Sequence, residues 1–197
     1  TVGDILKYIE TLAPRSMKMD WDNVGLLCGS KATPVTKVLV ALDPFEHVCR
    51  EAADWGADLI VTHHPLIFQA MKSITDETSI GRGIMTLLQD GICAINAHTN
   101  LDCAPGGVND VLAAKLGLEN IQVIAPAGTN EEGLPYGLLR CGEVSEQSLE
   151  HFLGHVKTAL GCEGLRFVDG GKPVRKVAVG GGSCAGGMLE ALDTGCD

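Results

Sequence analysis

Asp58-Leu59-Ile60-Val61-Thr62-His63-His64-Pro65-Leu66-Ile67-Phe68 is an apolar run that ends in two adjacent histidines and is stopped by a proline. The run is short and β-branched, which reads as a buried strand. Pro65 biases His64 toward an extended backbone and ends regular pairing. The histidines therefore stand where a strand leaves its sheet. Adjacent strand residues point to opposite sides, so two such imidazoles suit two neighbouring metal ions, one each, better than a single ion. A pair of polar loop residues is the plain alternative.

Working outward, the same pattern recurs on both sides of this run. Residues 37–42 and 92–97 read as further strands. Asp43 and Pro44 read as the N-cap and first position of a helix to about residue 55, which Gly56 ends. A helix at 80–89 precedes Gly91, and Gly106-Gly107 precede one at 108–116, stopped by Gly117. Ahead of all this, Val2, Ile5, Leu6, Ile9 and Leu12 fall at helical spacing before Pro14. Trp21-Asp22-Asn23-Val24-Gly25-Leu26-Leu27 is a turn signal leading into an apolar segment, read as a loop anchored by a buried Trp.

Strand-helix-strand-helix-strand with short turns implies parallel strands and right-handed crossovers. The C-terminal ends of the three strands then share one sheet edge. Asp43, His63, His64 and the run His98-Thr99-Asn100-Leu101-Asp102 all emerge there, and open α/β sheets bind ligands at that edge.

The second half reads as a 125–135 linker, strands at 136–143, 164–168 and 174–179, and a helix capped by Ser145 that reaches Leu160. A last helix opens from Gly180-Gly181-Gly182-Ser183-Cys184-Ala185-Gly186-Gly187. The expected class is α/β, with an N-terminal lobe over 1–124 carrying the histidines and Asp102. A second lobe over 125–197 carries the glycine-rich loop.

Composition narrows the function. The chain has 197 residues, 45% of them hydrophobic and only 4% aromatic, so its core is aliphatic. A net charge of −10 without any basic cluster argues against nucleic-acid binding. No apolar run is long enough to span a membrane, no signal peptide is apparent, and the expected location is the cytoplasm. Eight scattered cysteines without a C-x-x-C motif read as reduced, mostly buried thiols rather than disulfides or a zinc-thiolate cluster.

His63, His64 and Asp102 form the strongest candidate metal set. Imidazoles with a carboxylate suit zinc, iron, manganese or nickel rather than calcium. Two ions about 3.5–4 Å apart can generate hydroxide and clamp both ends of a displacement. His98 reads equally as a group that orients the Asp102 turn or as a plain strand-end histidine. His47, His151 and His155 fall on helices, where a solvated face is the expected role. The glycine loop loosely follows the dinucleotide pattern but lacks the downstream acid, so a backbone-amide cradle for phosphate suits it better than NAD. Cys184, at the start of that last helix, reads as a bystander thiol rather than a nucleophile, because no partner base is identifiable.

Four motifs together carry a resemblance: Trp21-Asp22-Asn23-Val24-Gly25-Leu26, Thr62-His63-His64-Pro65, His98-Thr99-Asn100-Leu101-Asp102 and Gly181-Gly182-Ser183. They resemble, in order and along the whole chain, the NIF-three-like family, whose members carry the name GTP cyclohydrolase 1 type 2 homologue. The resemblance implies an α/β fold of two related lobes, a toroidal homohexamer and a dinuclear metal centre inside the ring. It implies that His63 and His64 ligate different ions and that Asp102 joins the His64 ion. It also implies a further C-terminal segment with a histidine and a bridging glutamate, which this sequence is expected to lack, and the usual glycine after Ser183 is Cys184 here. The expected activity is metal-dependent hydrolysis of a small nucleotide-like substrate, the guanine ring of GTP by the family's naming. The alternatives are a non-catalytic metal-binding or metal-handling ring protein and a nucleotide-binding regulator.

Overall fold

The computed structural model describes residues 1–197. Its packing divides after Leu101 into two units, Thr1–Leu101 and Asp102–Asp197.

The first unit follows the strand-helix alternation of its sequence. Helix α1 (Val2–Leu12) carries a reciprocal cap, Thr1 with Asp4, and ends ahead of Pro14. Strand β1 (Gly25–Cys28) follows, then β2 (Val38–Ala41), α2 (Glu46–Trp55), β3 (Leu59–Thr62), α3 (Ser79–Gln89), β4 (Cys93–Asn96) and the short α4 (Thr99–Cys103), within which the division between the units falls. The sheet order is β1-β4-β3-β2. Strands β2, β3 and β4 are parallel and in step, with Ala41 opposite Thr62 and Thr62 opposite Asn96. Their C-terminal ends therefore share one edge. Strand β1 adds an antiparallel neighbour to β4.

Side-chain alternation splits the core across the two faces of this sheet. Leu59, Cys93 and Ile95 pack with Val2 and Leu6 of α1. Ile60 and Ala94 pack with Cys49 and Ala52 of α2 and with Ile84 and Leu87 of α3. Both faces of the central strands are thus dry, which is why they read as continuous apolar runs.

Two local expectations change. Helix α2 starts at Glu46 with Phe45 in the cap position, not at Asp43-Pro44, because the Asp43 side chain is engaged elsewhere. Gly56 does end the helix, in a left-handed conformation (φ 71°) that a side chain would disfavour. Trp21 is 58% exposed, and Val24, 1% exposed, anchors the loop in its place.

In the second unit, α5 (Val108–Lys115) precedes β5 (Glu119–Ile124), the small pair β6 (Gly128–Thr129) and β7 (Pro135–Tyr136), and β8 (Leu139–Gln147). Then come α6 (Leu149–Leu160), β9 (Val174–Val179) and α7 (Met188–Asp193). The sheet order is β5-β8-β9, antiparallel throughout. Helix α5 packs its Ala113 and Leu116 with Leu118 and Val179, which assigns residues before 125 to the second unit. Residues 125–135 carry β6 and the start of β7, which pair as an antiparallel hairpin closed at Tyr136, rather than a plain linker. Ser148, not Ser145, caps α6, since Ser145 lies within β8. Residues 164–168 form no strand. All eight cysteines are free.

Candidate metal centre

Strands β2, β3 and β4 end in register, so Asp43, His63-His64 and His98 leave the sheet side by side. Backbone bonds extend the order past the strand ends: His64 N–H donates to Leu42 C=O at 3.0 Å, and Ala97 N–H to Thr62 C=O at 3.0 Å. The Thr62 hydroxyl donates to the His64 carbonyl at 2.7 Å and holds the bend that precedes Pro65.

This bend alters the expected geometry. Strand β3 stops at Thr62, so strict alternation no longer applies to the two histidines. Their ring centroids lie 5.0 Å apart, and His98 stands 5.2 Å from His63 and 5.5 Å from His64. One nitrogen from each of the three rings lies within 4.8 Å of the others, a cluster that could hold a metal ion.

Each ring is oriented through Nδ1. The Ala97 carbonyl meets His63 Nδ1 at 2.9 Å, Asp43 Oδ1 meets His64 Nδ1 at 2.6 Å, and Asp22 Oδ1 meets His98 Nδ1 at 2.9 Å. All three partners can only accept, so each Nδ1 carries the proton. That tautomer presents Nε2 as the ligand nitrogen, the arrangement found where a carboxylate or carbonyl backs a metal-binding imidazole.

Asp22 is the most heavily satisfied group in the site. It is 7% exposed. Besides His98, its carboxylate accepts from Asn23 N–H at 2.8 Å, Thr99 N–H at 3.1 Å and the Thr99 hydroxyl. Burial works to raise its pKa. Hydrogen bonds from the Thr99 side chain, from His98 and from the two backbone amides outweigh that, and the carboxyl stays below its usual range. The turn carrying His98 is fixed again by Asn100, whose Oδ1 accepts from His98 N–H at 2.9 Å and whose Nδ2 donates to Ala13 C=O at 2.8 Å.

An apolar cavity of about 530 Å³ lies on the α1 side of this edge, lined among others by Ile9, Leu12, Val40, Val61 and His63. His63 is thus the one histidine of the three that borders it.

The remaining expected groups fall as follows. Asp102 is buried, belongs to α4, and receives a bond on its carbonyl from Asn109 Nδ2 at 3.1 Å; the imidazole cluster itself comprises His63, His64 and His98. Asn109 Oδ1 accepts from Gly181 N–H at 2.6 Å. The glycine loop thus spends that amide internally, against its reading as an open phosphate cradle. Cys184 donates to Gly181 C=O at 2.9 Å. Burial first, then the Asp102 charge, pushes its thiol up, away from nucleophilic use.

Sequence reasoning singled out His63 and His64, left His98 and Asp43 undecided, and missed Asp22. The signals for Asp22 were its place in the Trp21–Leu26 motif and just ahead of a strand, and the second counted only if that strand paired antiparallel with β4. The pairing of Gly25 with Asn96 carries Asp22 to the His98 turn.

Comparison with known proteins agrees with this architecture. The family model Duf34/NIF3 (NGG1p interacting factor 3) matches residues 1–197. A Clostridium perfringens protein named GTP cyclohydrolase 1 type 2 homolog is 36% identical over all of this chain and 74% of its own length. A crystal structure of a Staphylococcus aureus hypothetical protein superposes with a TM-score of 0.88 at 32% identity, over 100% of this chain and 76% of that one. A Bacillus cereus protein related to NIF3 superposes with a TM-score of 0.89 at 27% identity, over 98% and 80%. On the match along its whole length and on these relatives, the chain belongs to the DUF34/NIF3 family.

Proposed function

We propose that this chain binds divalent metal at its strand-end histidines and, with metal bound, hydrolyses a small nucleotide-like molecule. The observation that carries the reading is the trio His63, His64 and His98, each ring backed on Nδ1 by an acceptor and each offering one nitrogen within 4.8 Å of the other two. The donor chemistry suits zinc, iron or nickel, and manganese too where a carboxylate joins. By the family resemblance the centre holds two ions, His63 and His64 serve different ones, and Asp102 adds the carboxylate. Metal bound there would supply Lewis acidity and a water nucleophile active near neutral pH.

The residues themselves hold protons in place. Asp43 and Asp22 keep His64 and His98 protonated on Nδ1 and fix both ring planes. The Ala97 carbonyl does so for His63. The nucleotide-like substrate is supported by the name of the Clostridium relative, GTP cyclohydrolase 1 type 2 homolog. The resemblance further supports a homohexameric ring. No helix is long and apolar enough to cross a membrane.

Elemental mass spectrometry on the protein and on His64→Ala tests the metal reading. Stoichiometric metal that falls sharply in the variant is expected, and a metal-free parent protein overturns it. Turnover of GTP that scales with occupancy supports the hydrolase. Bound metal without turnover on nucleotides or phosphoesters favours the non-catalytic, metal-handling alternative.

A further inference from the structure

We infer that Trp21 and Phe68 form a platform that stacks the planar heteroaromatic ring of a small ligand beside the histidine cluster. The inference deepens the nucleotide-like reading by naming the residues that would recognise the base, and its link to catalysis rests on that reading.

The chain is poor in aromatics, with two Trp and four Phe. Yet it leaves Trp21 58% and Phe68 47% exposed beside its most polar cluster. The two rings meet edge-to-face, 6.0 Å between centroids at 74°. Both also stand against His98, Trp21 at 6.4 Å and 76°, Phe68 at 6.3 Å and 84°. Three rings set nearly at right angles to one another make a corner rather than a closed stack.

The backbone beneath this corner is tied down although the rings are not covered. Asp22 beside Trp21 is buried and bonded to the His98 turn. Asn23 Nδ2 donates to Ile67 C=O at 2.7 Å, which ties the Trp21 loop to the Phe68 loop, and Asn96 Nδ2 donates to Asn23 C=O at 3.1 Å. Packing gives no reason for the tryptophan, since Val24 anchors that loop. A preorganised, exposed aromatic corner is costly unless something covers it.

Size selects the occupant. Two half-exposed rings offer on the order of 200 Å², well short of the roughly 800 Å² per partner of a stable protein interface. They match one base-sized ring, and every nucleobase has a face that stacks on aromatic side chains.

Trp55→Phe leaves Trp21 as the sole tryptophan, because the chain has two. Trp55 lies at the end of α2 under the Lys37 ammonium, 5.2 Å from its ring. In that background, guanosine is titrated while Trp21 emission is read, with ribose 5-phosphate as the ring-free control. Saturable quenching by guanosine alone is expected, weakened at least about fivefold by Phe68→Ala. By calorimetry, Trp21→Ala loses affinity and Trp21→Phe retains most of it. Equal guanosine affinity in the parent, Trp21→Ala and Phe68→Ala overturns the inference. So does ribose 5-phosphate binding as tightly, or quenching that follows protein self-association. Metal content measured in parallel separates the two readings. Stacking in a metal-free parent leaves the platform standing without the metal centre. Stoichiometric metal with no effect of either aromatic substitution does the reverse.

Discussion

Asp43 follows a strand and precedes Pro44, which fits a helix cap, yet its carboxylate goes to His64 Nδ1 at 2.6 Å. Such an outer carboxylate fixes tautomer and ring direction, and its loss costs about 10–100-fold in metal affinity. Asp43→Ala is therefore expected to weaken divalent-metal binding by that factor, read by titration against a chromophoric chelator. An unchanged affinity would remove Asp43 from the centre. Asp58 serves stability instead. Its Oδ2 accepts from Thr36 N–H at 2.7 Å, Lys37 N–H at 2.9 Å and the Thr36 hydroxyl at 2.8 Å. These bonds, the Thr36 amide first, hold its pKa below the ordinary value. A depressed folded-state pKa means the stabilisation is complete above the unfolded value of about 3.9 and fades as pH falls through the folded one. The gap in melting temperature between the parent and Asp58→Ala should be open at neutral pH and close at the acid end. A gap that persists in acid would show that the carboxylate charge is not its source.

Helices α2 and α3 lie on the face of the first sheet opposite α1, so α3 has to fill its share of that core from few side chains. Ile84 and Leu87, 2% and 0% exposed, do so against Cys49 and Ala52. Leu87→Ala is expected to cost about 2–5 kcal/mol, measured by urea denaturation; a loss below about 1 kcal/mol, well under that range, would mean that α3 packs loosely. In the second unit Arg140 of β8 is 1% exposed and bonds the Asp110 carboxylate of α5. It also donates to the carbonyls of Gly137 at 2.7 Å, Cys103 at 3.2 Å and Ala104 at 3.3 Å. One guanidinium thus ties residues 103–104 and the start of α5 to the sheet of their own unit. Its five donors in a planar fork reach acceptors that a lysine cannot. Arg140→Met should cost about 3 kcal/mol by the same measurement, and Arg140→Lys should recover little of it.

At the scale of the whole molecule, β2 is one of the two outer strands of the first sheet, with Val40 on it 76% exposed and Leu42 just past its end 62% exposed, both lining the apolar cavity. An unpaired strand edge with large apolar side chains is a surface that proteins ordinarily cover. The proposed homohexamer predicts a light-scattering mass six times that of one chain. Val40→Lys is the companion variant: a shift to smaller species would place this edge in the assembly, and an unchanged mass would exclude it. A monomeric parent would set aside the ring for this chain.

The strand-helix order of the first unit was legible because its signals are local: apolar runs, Gly56 and Gly91 as stops, Pro65 as a break. Parallel pairing followed from the short turns, and with it the convergence of Asp43, His63-His64 and His98 on one edge. The antiparallel pairing of the second sheet was not legible, since the β5 stretch Glu119–Ile124 is mostly exposed and carries no clear alternation. Nor were the partners of the histidines. Asp22 and His98 are 76 positions apart, and nothing local records which acceptor reaches which ring. Local pattern determined the elements and the histidine edge. Only the tertiary structure decided that His98 completes the cluster, that Asp43 and Asp22 set its tautomers, and that Trp21 faces outward, because those outcomes depend on strand order and register.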